Sequence, residues 1–306
     1  MRFRIETTLL TLALCAVAFS YARPKMTRQT SELKWVTGSH QIIVDGRVRT
    51  FLLDIPNHLK PGAGLVLISH GFGDSAQGIR DYSGFKDIMD RHNFVIAYPE
   101  GTKNAVGKPN FQVEYIFQDK TINDVKFARQ IIKQVGRGLQ LDPGSVFATG
   151  MSNGADFSYY LARQPNHLVS AIAPVAGTMM VDWAETHGVH RPFAVMEIHG
   201  TRDSVTLWPG DLTNHDGWGA YLGTLGVMNY WTKTLSLEQT TTKEVRAAHP
   251  GKDDSIDLIR WWTAKDRSEV LLYVLHGGEH TWPDHLVNPK RTTAEEILLF
   301  FERHRS

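Results

Sequence analysis

Val146-Phe147-Ala148-Thr149-Gly150-Met151-Ser152-Asn153-Gly154 carries an apolar, strand-like run into a Gly-x-Ser-x-Gly turn, and Ala155 to Ala162 continues as a helix-like segment. In this strand–turn–helix setting the serine is a candidate nucleophile. The turn has no room for a side chain at either glycine, and it holds the serine in a strained backbone conformation with its hydroxyl exposed. The same five residues could also form an ordinary tight turn with an ordinary serine. The choice depends on whether the chain supplies a base, an acid and donors for an oxyanion.

Working outward from the turn, short buried-type strands alternate with helical patterns. Gln41 to Val44 and Val48 to Leu53 flank Asp45-Gly46, a hairpin signal. Leu65 to Ile68, Phe94 to Tyr98, Val169 to Val175, Phe193 to Ile198 and Val270 to Leu275 read as further strands. Val125, Ala128, Ile131, Ile132 and Val135 repeat at helical spacing, which predicts an amphipathic crossover helix over Asn123 to Leu139. Alternating strands and helices imply an α/β fold. It has a mostly parallel central sheet covered by helices on both faces, after an N-terminal antiparallel hairpin.

The 306 residues suffice for one such domain, expected over 40–306, and the formal net charge of +1 offers no basic stripe for nucleic acid. Arg2 and Arg4, the apolar run from Leu9 to Phe19, and Ser20-Tyr21-Ala22 read as a cleavable signal peptide over 1–22, cut after Ala22. That run is short for a membrane span, and no later segment approaches the length. The polar stretch 23–39 reads as a tether. Cys15, the only cysteine, leaves with the leader, so the secreted chain would be free of thiols and disulfides. Cleavage also leaves equal numbers of basic and acidic side chains, so steering of a strongly charged substrate is not expected.

Downstream of Ser152 the remaining groups follow in the order acid, then histidine. Asp203 lies in His199-Gly200-Thr201-Arg202-Asp203, just past the Phe193–Ile198 strand. His280 lies in the glycine-opened loop His276-Gly277-Gly278-Glu279-His280-Thr281-Trp282-Pro283, after the Val270–Leu275 strand. Singly, Asp203 reads equally as a turn aspartate and His280 as a rim histidine. Jointly, in that order and after successive strands, they read as the catalytic acid and base. His276, Glu279 and His280 lack a metal-binding pattern, and Gly277-Gly278 argues against a helix there, so no metal or other cofactor is expected. His276 is expected to be structural, as is His70. The loop Ser69-His70-Gly71-Phe72-Gly73-Asp74 follows an early strand and supplies the first oxyanion donor, Phe72 N–H or else that of Gly71. Asn153 N–H supplies the second.

These stretches, with Ala97-Tyr98-Pro99-Glu100-Gly101-Thr102 and Ala171 to Gly177, resemble the secreted α/β-hydrolase esterases. That family groups extracellular polyhydroxybutyrate depolymerases with feruloyl and acetylxylan esterases (carbohydrate esterase family one). The resemblance spans roughly residues 40 to 303 and implies a serine esterase with a triad at Ser152, Asp203 and His280. The chain departs from it at Phe72, where many members carry cysteine, and in having no disulfides. With a single domain expected, no linker or polymer-binding domain is expected beside it, which weighs against a solid polymer as substrate.

Seven tryptophans follow the nucleophile. Trp208 and Trp218 lie in a polar segment after Asp203, and Trp282 follows His280 by two residues. These three are the candidate substrate-binding residues, although each could equally pack a loop. The expected substrate is an ester of plant cell-wall polysaccharide, as a small molecule or oligosaccharide, with hydroxyalkanoate oligomers as the alternative. A non-catalytic binding protein on the same fold is the remote third reading.

Overall fold

The computed structural model describes residues 35–165, 168–185, 192–245, 255–286 and 290–306. The leader expected over 1–22, Cys15 and the tether as far as residue 34 lie outside the described residues.

Among the described residues ten strands form one sheet. In chain order they are β1 (Gly38–Val44), β2 (Arg47–Asp54), β3 (Gly64–Ser69), β4 (Phe94–Pro99), β5 (Val146–Met151), β6 (Ala171–Val175), β7 (Ala194–Gly200), β8 (Gln239–Val245), β9 (Ile256–Trp262) and β10 (Glu269–Leu275). Their order across the sheet is β1-β2-β4-β3-β5-β6-β7-β10-β9-β8. The central strands β4, β3, β5, β6, β7 and β10 run parallel. Antiparallel neighbours close both edges, β1 and β2 on one side and β9 and β8 on the other. The expected α/β architecture and N-terminal hairpin are both present. The second antiparallel edge is new. Its β9 mixes apolar and polar residues on both faces, with only Ile256 fully buried, so it has neither a continuous apolar run nor a clean alternation to mark it as a strand.

The pleat of the central strands sorts the core into two layers. In β3, Leu65 and Leu67 join one cluster while Val66 and Ile68 join the other. In β10, Val270, Leu272 and Val274 alternate in the same way with Leu271 and Tyr273. Helices α3 (Asp124–Gly138), α4 (Asn153–Ala162) and α5 (Thr224–Thr234) cover the first layer with residues such as Phe127, Phe157 and Trp231. Helices α1 (Ala76–Tyr82), α2 (Met89–His92) and α6 (Thr293–Arg303) cover the second with Ile79, Met89 and Phe301. The crossover helix has the expected extent, with the Asn123 side chain accepting from Lys126 N as its cap.

The folded unit begins before residue 40. β1 starts at Gly38, and Trp35 is buried with its ring centroid 4.9 Å from that of His40 and 5.9 Å from that of Phe51. Trp35 therefore packs the residues just ahead of β1 against the sheet.

Candidate active site

The serine turn is built by close backbone approach. Ser152 adopts φ 56° and ψ −122° between β5 and α4, a conformation costly for a residue with a side chain. A Cβ on Gly150 would stand 2.4 Å from Ser69 O, and one on Gly154 would stand 2.0 Å from the same oxygen. Glycine at both positions therefore lets the end of β3 pass directly beneath the turn. Ser152 N–H donates to Val175 O at 2.9 Å, and Ser152 O accepts from Ala155 N and Asp156 N, which starts α4. The Asn153 side chain is buried as a clamp, accepting from Phe111 N at 2.7 Å and donating to Phe111 O at 3.1 Å. Only its backbone amide is left for a substrate.

The loop after β3 is fixed around the Phe72 amide. His70 is buried; its Nδ1 lies 2.7 Å from Gly71 O, and its Nε2 accepts from Gly101 N at 3.0 Å. It is the loop-stabilising group expected. Gly73 N–H donates to Pro109 O and Asp74 N–H to Gly71 O. Gly71 lies against the serine turn, since a Cβ there would stand 3.6 Å from both Met151 O and Ser152 Cβ. Among the described residues no protein acceptor is present for Phe72 N–H or Asn153 N–H. Both residues line a cavity together with Ser152, which makes their two amides the candidate oxyanion donors.

Asp203 and His280 meet because β7 and β10 are parallel neighbours, with Gly200 opposite Leu275. Their two following loops are laced by Arg202 N–H donating to Gly278 O and Gly277 N–H donating to Thr201 Oγ1. Asp203 is 4% exposed and divides its two oxygens. Oδ1 accepts from Val205 N and Thr206 N at 2.8 Å each, and Oδ2 accepts from His280 Nδ1 at 2.7 Å. Asp203 thus both closes the turn that follows β7 and contacts the His280 ring. His276 turns away to Asp257 Oδ2 at 2.9 Å, so the two histidines of that loop face different carboxylates. Among the described residues no group of three or more His, Asp or Glu side chains is arranged to hold a metal ion, and no helix is long and apolar enough to cross a membrane.

Ser152 and His280 both line a cavity of about 290 Å³ whose walls include the rings of Phe72, Tyr115, Trp218 and Tyr221. They also line a second, more open cleft with Trp282. Trp218 is edge-on to Phe72 at 5.3 Å and to Tyr115 at 5.4 Å, forming an aromatic wall. Trp208 is not among the lining residues of either cavity. It packs edge-on to the buried His199 ring at 5.9 Å, so the core reading applies to it.

Several groups at the site were not legible in the sequence. Asp156, one helical turn beyond Ser152, lies at the cavity wall and accepts from Thr178 N at 2.7 Å and from Tyr115 Oη. Burial pushes its carboxyl up to about 7, against the pull of those two donors. Beneath Asp203, His199 Nδ1 lies 2.9 Å from Glu197 Oε1, and Tyr159 Oη donates to Glu197 Oε2 at 2.7 Å. Burial raises the Glu197 carboxyl and His199 opposes it. Burial lowers the His199 ring, and its bonds to Glu197 and Thr206 outweigh that and raise it. A polar residue at helical spacing after the serine was the one available signal for Asp156. Glu197 and His199 sit in an otherwise apolar strand and carried a similar hint.

No family model matches the chain. It is 27% identical over 265 residues to a protein of Nocardia uniformis subsp. tsuyamanensis that bears the name esterase NocK, covering 81% of this chain and 74% of that one. It is 24% identical over 250 residues to feruloyl esterase D of Neurospora crassa, covering 78% of this chain and 75% of that one. The acetyl xylan esterase from Aspergillus awamori superposes with a TM-score of 0.61 at 13% identity, covering 87% of this chain and 99% of that structure. The fold is that of the α/β-hydrolases, and the relatives by sequence carry esterase names.

Proposed function

We propose that this chain is a secreted serine carboxylic-ester hydrolase that cleaves hydroxycinnamoyl or acetyl esters of plant cell-wall polysaccharide. The observation that carries the reading is the 2.7 Å contact of Asp203 Oδ2 with His280 Nδ1, at a cavity that also exposes Ser152 in its strained turn. With Nδ1–H committed to Asp203, the free lone pair of His280 is on Nε2. That nitrogen takes the Ser152 proton as the hydroxyl attacks the ester carbonyl, and Asp203 holds the tautomer and stabilises the imidazolium. The amides of Phe72 and Asn153 receive the negative charge on the tetrahedral intermediate. His280 then protonates the leaving alcohol, and water activated by the same nitrogen releases the acid from Ser152.

The cavity supports an aromatic acyl group over a bare acetyl. About 290 Å³ walled by four aromatic rings is near the lower end of the ~300–1,000 Å³ typical of small-molecule sites, and far more than an acetyl fills. The four rings offer aromatic surface to a phenolic acyl group, and Asp156, Thr178 and Thr206 offer polar partners beside it. Secretion rests on the leader at 1–22, and mature protein beginning at Arg23 would support it.

Ser152→Ala is expected to lower kcat by about 10⁴-fold or more with an unchanged melting curve, and an organophosphonate should label the wild type at Ser152 alone. Near-normal turnover in the variant would sink the assignment. A panel of methyl ferulate, acetylated xylan and hydroxybutyrate oligomers ranks the substrates. Preference for the oligomers would reverse the ranking.

A further inference from the structure

We infer that His199 is a buried imidazolium that acts as a positioning residue, holding the Asp203 carboxylate ionised and aimed at His280. This inference rests on the triad reading above and extends it by one layer. His199 Nε2 lies 2.9 Å from Thr206 O, a carbonyl that can only accept, so Nε2 carries a proton. Nδ1 lies 2.9 Å from Glu197 Oε1. Glu197 also faces Tyr159 Oη at 2.7 Å from Oε2 and Gly177 N–H at 3.4 Å from Oε1, donors that favour its carboxylate form. Nδ1 must then donate as well, and a ring that donates from both nitrogens is a cation.

That cation stands 3.5 Å from Asp203 Oδ2, the oxygen that faces His280. The side chains of Glu197, His199 and Asp203 are at most 1% exposed, so their mutual attraction is little screened. The Trp208 ring seals one side of His199. The groups facing this centre are Glu197 on β7, Asp203 and Thr206 on the following loop, Tyr159 and Asp156 on α4, and His280 from the loop after β10. Alternating charges thus run Glu197 minus, His199 plus, Asp203 minus, towards His280. The Asp203 carboxylate is secured by Val205 and Thr206 amides on one oxygen and lies between two imidazoles on the other. Thr206 serves both sides, its N–H on Asp203 and its C=O on His199.

Two measurements test this. In the full-length protein labelled with ¹⁵N, both ring nitrogens of His199 are expected to read as protonated at pH 8, and one unprotonated nitrogen overturns the proposal. The second is the acid limb of kcat/KM on a neutral ester. In His199→Gln a cation that opposes charge on His280 is gone, so the limb is expected to move up by about one pH unit while KM stays within about twofold. A limb that is unmoved or lowered overturns the proposal. Should the single variant fail to fold with Glu197 left unpaired, Glu197→Gln/His199→Gln removes both charges, and a smaller upward shift is expected, because the cation lost is nearer to His280 than the anion lost with it. A wild type inactive on every ester would strike the esterase reading instead, and the nitrogen measurement would still decide this one.

Discussion

Replacing Asp203 with asparagine changes one atom of the site, and the structure dictates which way the amide must face. Oδ1 of Asp203 accepts from Val205 N and Thr206 N at 2.8 Å each. In Asp203→Asn the amide oxygen keeps those two bonds. The reverse orientation would set an NH₂ group against two N–H donors and leave three donors unpaired, at roughly 1–3 kcal/mol each. The NH₂ group therefore occupies the position of Oδ2, 2.7 Å from His280 Nδ1. Nδ1 must accept there, and the single proton of the neutral ring is driven to Nε2, where the base needs a lone pair. The expected loss is about 10⁴-fold in kcat, equivalent to ~5.5 kcal/mol of transition-state stabilisation. KM should stay within a few-fold, because Asp203 is buried behind the ring and does not line the cavity. The assay is steady-state hydrolysis of p-nitrophenyl butyrate and methyl ferulate at pH 7, with far-ultraviolet melting as the folding control. A folded variant within tenfold of the wild-type kcat would refute the tautomer argument.

Two further outcomes are expected. Gly154→Ala places a Cβ 2.0 Å from Ser69 O and 2.7 Å from His70 O, both backbone atoms. The turn and the β3 end must separate, costing roughly 1–3 kcal/mol with most activity lost, and a variant as stable and active as wild type would contradict the close approach. Far from the site, Glu269 is buried yet held down to about 2, because the His304 hydrogen bond and the Arg303 and Arg260 charges outweigh burial. A carboxyl depressed in the folded state adds stability above its unfolded value, and that stability is lost as pH falls towards 2. Glu269→Gln should therefore cost ~1–3 kcal/mol at pH 7, at the low end because both arginines are half-exposed. The gap in urea midpoints should close between pH 4.5 and the acid end, and one that is constant over pH would rule the charge cluster out as its cause.

The parts of this protein that are legible in one dimension are those governed by local sterics. Gly150 and Gly154 mark the serine turn because no side chain fits there, and Val125 to Val135 mark a helix because burial repeats with the helical period. Asp203 and His280 could be chosen because each follows a strand and stands in the right order, although 77 positions separate them. Trp208 and Trp218 sit in the same polar segment, and only the chain's path decides that the Trp218 ring reaches the cavity while Trp208 packs on His199. The antiparallel edge of β9 and β8 is not legible in the sequence, because β9 lacks a clean alternation and is held as a strand by pairing with β10 on one side and β8 on the other.

By itself the sequence determined the fold class, the strained serine turn and the identity of the candidate acid and base, because backbone geometry and hydrophobic period are written in neighbouring residues. Only the tertiary structure decided that β7 lies beside β10, which joins Asp203 to His280 and sets Glu197 and His199 beneath them. It also decided that Tyr115, Trp218 and Tyr221 wall one cavity with Ser152. Those relations depend on which strands become neighbours and on how charges pair once water is excluded. Both are set by the packing of the whole sheet, and no local stretch of the chain records them.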